Sequence, residues 1–151
     1  MEAQRITIAL TDTSAGFEAT PDRVRLGDLA SFSADVAAFL RGEDKDVDTN
    51  TLEVAVRKGS LAIETAPLMV APNLFRDLRT LLGGELLDSL DAKRREVMER
   101  WQKASRQSKQ VSYRISAPFL GASIHISAET DYHADDADQW VQVERYVRGE
   151  I

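Results

Sequence analysis

What most confines this chain is the order in which its hydrophobic period switches between two and about 3.6 residues. Ile6, Ile8 and Leu10 alternate with Thr7, Ala9 and Thr11, which gives one apolar face on a pleated surface and predicts a strand. Gly16 and Thr20-Pro21-Asp22 follow as turn signals. After Asp28, read as an N-cap, Leu29, Phe32, Val36, Phe39 and Leu40 fall on one stripe, with Asp35 and Arg41 off it. That spacing predicts an amphipathic helix ending near Arg41.

The period then returns to two. Val54 and Val56, then Leu61 and Ile63, alternate on either side of Lys58-Gly59-Ser60 and predict a hairpin. Pro72-Asn73 opens a helical pattern carrying Leu74, Leu78, Leu81 and Leu82, closed by Gly83-Gly84. A longer helix is predicted from about Asp88 to Ser108, with Leu90, Val97, Trp101 and Ala104 on one face and Trp101 read as core. Val111, Tyr113 and Ile115 alternate, as do Ile124 and Ile126 beyond a turn marked by Pro118 and Gly121. Val141, Val143, Val147 and Ile151 predict a last strand whose edge is open to pairing.

This order predicts an α+β fold, an antiparallel sheet with helices on one face. The first part matches a split β-α-β-β-α-β (ferredoxin-like) arrangement followed by extra C-terminal strands, with an α+β core over residues 1–109. The β-rich extension over 110–151 either belongs to the same domain or begins a β region cut at residue 151. Because such a core carries many unrelated activities, it points to none by itself.

The 151 residues, 43% of them hydrophobic, suffice to bury a core without staples. The absence of cysteine removes disulfides, thiolate metal sites and cysteine nucleophiles together, and suits a reducing compartment. No basic-then-apolar leader opens the chain and no apolar run approaches the roughly 20 residues that cross a bilayer. A soluble, cytoplasmic, bacterial-type protein without membrane contact is expected.

The net charge of −6 hides a segregation. Residues 1–91 carry 9 basic and 16 acidic side chains, and residues 111–151 carry 3 and 7. Between them Lys93, Arg94, Arg95, Arg100, Lys103, Arg106 and Lys109 face only Glu96 and Glu99. Such a basic helix could release counterions from nucleic acid, bind an acidic protein partner, or be a solvated face with Arg95 and Glu99 paired four apart.

Two polar clusters complete the candidates. Asp44, Asp46 and Asp48 hold the first, third and fifth places of a calcium loop, but Thr49 replaces the glycine of its sharp turn and Ala55 its bidentate glutamate. That segment reads as a solvated loop. His125, Asp131, His133, Asp135 and Asp136 offer imidazole and carboxylate for a metal or for acid–base work, without a known ligand spacing. No Gly-x-Ser-x-Gly and no phosphate-binding glycine loop is present, and no cofactor is expected.

The sequence therefore favours a non-catalytic protein–protein interaction or scaffold module, the N-terminal part of a larger protein, whose partner is another protein or the remainder of its own chain. A nucleic-acid-binding or regulatory domain using the basic helix and a metal-dependent hydrolase using the histidine cluster are the alternatives.

Overall fold

The computed structural model describes residues 2–135. In chain order these form β1 (Thr7–Asp12), α1 (Leu26–Arg41), β2 (Val54–Arg57), β3 (Leu61–Thr65), α2 (Pro72–Gly83), α3 (Ala92–Gln107), β4 (Val111–Ser116) and β5 (Ile124–Ile126). A 3₁₀ turn, Pro118–Leu120, separates the last two strands. The strands make one antiparallel sheet in the order β2-β3-β1-β4-β5. Residues 110–126 thus share a sheet with β1. The alternation at Val141, Val143, Val147 and Ile151 lies outside the described residues.

The register explains where the core lies. Ile8 stands opposite Ile63 and Ile115, Leu10 opposite Leu61 and Tyr113, and Ile115 opposite Ile124. Because alternate residues point to opposite faces, these side chains share one side of the sheet, and the helices cover it. The other side carries Thr7, Ala9, Arg114, Ser116 and His125. Between β3 and β4 the chain makes two helices, and beyond β4 the sheet gains β5.

Trp101 is 1% exposed and organises the layer between α1, α3 and β4. Its ring lies 4.8 Å from that of Tyr113 and 5.9 Å from that of Phe39, both stacked, and its Nε1 donates to Asp35 at 3.2 Å. Each such aromatic pair adds about 0.5–1.5 kcal/mol beyond the area it buries. Burial in this layer, reinforced by the nearby charges of Asp35, Asp12 and Asp28, pushes the Tyr113 hydroxyl up to about 12.

Helix α1 begins at Leu26, ahead of the N-cap expected at Asp28. Arg25 is still extended, so Asp28 falls inside the first turn, where its carboxylate faces the positive end of the helix and pairs with Arg25 at 2.7 Å.

The helices are joined by one buried cation. Arg94, expected on a solvent-facing basic helix, is 0% exposed. Its Nε donates to the Phe39 carbonyl at 2.7 Å and its Nη2 to the Leu40 carbonyl at 3.2 Å, satisfying groups that the end of α1 leaves open. Its Nη1 meets Asp77 of α2 at 3.0 Å and Asp44 at 3.4 Å. Gly42 closes the joint. It sits at φ +63°, and a Cβ there would lie 2.8 Å from Arg94 Nη2.

The acidic loop is held in this joint, contrary to a freely solvated reading. Asp46 accepts from the Asn73 and Leu74 amides at 2.6 and 3.3 Å and so caps α2, whose own N-cap residue, Ala71, has no side chain for the task. Asp91 caps α3 through the Lys93 and Arg94 amides and also takes the Glu43 amide. Burial opposes its charge, yet those three amides and the Arg94 guanidinium hold its carboxyl below the ordinary value. Its contribution to stability is complete above the unfolded pKa of about 3.9 and is lost as pH falls through the lower folded value.

Removing one partner of a buried pair strands the other, at a cost of about 3–5 kcal/mol. Arg94→Ala should lose that much in urea unfolding. Lys93→Ala, which breaks only an exposed pair with Glu96, should lose about 0.5 kcal/mol or less. Equal losses would remove Arg94 from its central role.

Candidate interaction surface

The structure takes the basic segment apart. Arg94 lies in the core. Lys93 pairs with Glu96 at 3.7 Å, Arg100 with Asp35 at 2.7 Å and Arg106 with Asp131 at 2.9 Å, the last also donating to the Thr130 carbonyl. Arg95, Lys103 and Lys109 have no ion-pair partner among the described residues, so the pair expected between Arg95 and Glu99 does not form. Four of the seven cations are thus engaged within the chain.

The histidine cluster is also divided. His125 sits in β5 between the buried Ile124 and Ile126 and points to the open face of the sheet, opposite Arg114 in register. His133 lies on the helix side, in a groove with Glu99, Lys103 and Arg106 of α3. The fold therefore keeps the two imidazoles on opposite sides of the sheet, although the sequence grouped them. Asp131 and Asp135 do approach His133, at 3.7 and 3.2 Å, whereas Asp136 lies outside the described residues. Among the described residues no three histidine or acidic side chains are arranged to hold a metal ion.

His133 has a structural task. Its amide donates to the Glu85 carbonyl at 3.0 Å and its carbonyl accepts from the Leu87 amide at 2.8 Å, lacing residues 131–133 to the turn between α2 and α3. Its Nδ1 lies 2.6 Å from the Asp131 carbonyl and its Nε2 faces Asp135, so both ring nitrogens meet acceptors. The hydrogen bond to that carbonyl, then the charges of Asp135 and Asp131, raise its pKa above the ordinary value.

The open face of the sheet holds a shallow cleft of about 510 Å³ lined by Arg5, Thr7, Glu64, Ser116 and Ser123. Its charges are spent on each other. Glu64 takes Arg57 at 2.6 Å and Arg5 at 3.9 Å, and chiefly the Arg57 hydrogen bond holds the carboxyl below its usual value.

β2, one arm of the hairpin that the sequence predicts, is one edge of the sheet among the described residues, and β5 is the other. Strand order alone shows that. All four residues of β2 are exposed, with Val54 at 50% and Val56 at 51%. Both valines belong to the core-side face, since Val56 pairs with Ile63. They border a groove of about 230 Å³ shared with Ser33 and Ala37 of α1 and with Leu52.

Main-chain polarity at this edge follows from the ladder. The Thr65 amide donates toward β1, to Ile6, and the next amide, Ala66, toward β2, to Glu53. Alternation then turns the amides and carbonyls of Glu53, Ala55 and Arg57 inward to β3 and those of Val54 and Val56 outward. The outward groups are unpaired by any described strand. Regular pairing from Val54 to Arg57 leaves no bulge and no proline, so the edge is guarded only by its four-residue length and by the charge of Arg57 beside Lys58.

If His133 is held as described, its imidazole should titrate by NMR above the ordinary value of about 6.5. The sign follows: its stabilising contribution is complete below the unfolded pKa and fades as pH rises through the higher folded value. Removing the Asp135 carboxylate with Asp135→Asn should lower the measured pKa, and an unchanged value would show the contact to be idle. No protein-family profile, curated protein or solved structure matches the chain.

Proposed function

We propose that this chain is a non-catalytic interaction module that takes up its partner by strand addition at β2. The observation that carries the reading is the bare edge itself: outward amides and carbonyls at Val54 and Val56 beside an apolar groove. Strand addition uses both features, because main-chain hydrogen bonds supply affinity and alternate side chains entering pockets supply specificity. The shortness of β2 and the charge of Arg57 limit indiscriminate pairing while leaving the edge open to a matched strand.

The competing readings lose support at the same level of detail. Nucleic-acid binding by the basic stretch loses Arg94 to the core and must compete with the ion pairs of Lys93, Arg100 and Arg106, in a chain of net charge −6. Hydrolysis at a shared histidine site needs His125 and His133 together, and they face opposite ways. No described helix is long and apolar enough to cross a membrane. A cytoplasmic setting is part of the proposal, supported by the lack of cysteine.

Site-specific photo-crosslinking in the native cells tests the reading. A photoreactive residue at Ala55 should yield a discrete protein adduct, and one at Lys109 at the end of the basic stretch should not. Adducts at 109 alone, or crosslinking to nucleic acid, would overturn it.

A further inference from the structure

We infer that the strand added at β2 is β2 of a second copy of this chain. The inference rests on the strand-addition reading above and names the occupant of that edge.

The argument is one of register. A two-fold axis through Ala55 sets Val54 opposite Val56 of the second copy, and the reverse. These are the residues whose amides and carbonyls point outward. Residues opposite each other in such a pair exchange both N–H···O bonds, so the two pairs form a regular antiparallel ladder with every outward group of the strand satisfied. The same axis sets Glu53 opposite Arg57 of the second copy, twice, on the open face of the sheet. Apolar meets apolar on the core side, and acid meets base on the other.

Other registers lose one or both matches. A shift by one residue brings a valine against a side chain of the opposite face, which the pleat forbids. An axis through Val56 places Val54 against Lys58 and Ala55 against Arg57, and an axis through Val54 places Glu53 against Ala55. Only the axis through Ala55 pairs both valines and both charges. Arg57 already leans on Glu64 at 2.6 Å, so Glu53 of the second copy would join an existing charged cluster in place of forming a lone surface pair. Ser33 and Ala37, small side chains on α1, leave room beside the valines for the second copy to approach.

Sedimentation equilibrium on the full chain over a range of concentrations reads the association directly. Wild type should show a concentration-dependent dimer. Val56→Pro removes an amide that the monomer leaves facing solvent, a position where an edge strand tolerates proline. It deletes two hydrogen bonds per dimer and should weaken association about a hundredfold with an unchanged far-UV circular dichroism spectrum. Glu53→Arg, at an exposed site, should also weaken the dimer about tenfold by setting arginine against arginine. A wild type that stays monomeric throughout, or a dimer untouched by both variants, overturns the inference. The adduct at position 55 separates this from the broader reading. An adduct of twice the chain mass supports both, one with a different protein overturns self-pairing alone, and none overturns both.

Discussion

The buried ion pair between Arg94 and Asp77 is the contact on which the helical layer depends. Taking two charges out of water costs several kcal/mol each, and only good geometry with further hydrogen bonds offsets it. Here the guanidinium fork is filled by two carboxylates and two helix-end carbonyls, a task that needs its spread of five donors and that a lysine ammonium could not perform. One side chain on α3 thereby ends α1, anchors α2 and holds the acidic loop. That loop in turn supplies Asp46 to start α2. A set of groups resembling surface polarity in the sequence is the internal scaffolding of the fold.

With Arg94 buried and Lys93, Arg100 and Arg106 paired, the surface facing a partner changes. The charge segregation is real along the chain and much weaker in space, because Asp35, Glu96 and Asp131 are brought beside the arginines and lysine that the sequence leaves unmatched. Among the described residues, β2 leaves a short row of main-chain groups without a strand partner. Function by contact is favoured there because β2 sets outward main-chain groups beside exposed valines and an apolar groove.

Much of the architecture was legible. The alternation at Ile6–Leu10, Leu61–Ile63, Val111–Ile115 and Ile124–Ile126 marks strands that the structure contains, and the stripe from Phe32 to Leu40 marks α1. Trp101 belonged to the core, as its spacing from Val97 implied. Arg94 could have been read too, since it lies three residues before Val97 and seven before Trp101, on the same stripe. Its charge outweighed its position in the reading. Asp46 could not, because a cap supplied from 27 residues away leaves no local signal. The separation of His125 from His133 and the exposure of β2 share one cause: both depend on strand order and on which face a residue takes, and no period in the sequence encodes the order.

The joint around Arg94 also bears on how the chain is made. Its contact with the end of α1 spans 55 residues of sequence, and β1 cannot reach β4 until more than a hundred residues exist. At roughly 5–20 residues per second on the ribosome, the last turn of α1 waits some 3–11 s for the side chain that closes it. Throughout that interval β1 lacks β4, and until β3 is made it lacks a neighbour on either side. The molecule's most vulnerable moment therefore falls during synthesis, when its central strand is still an edge.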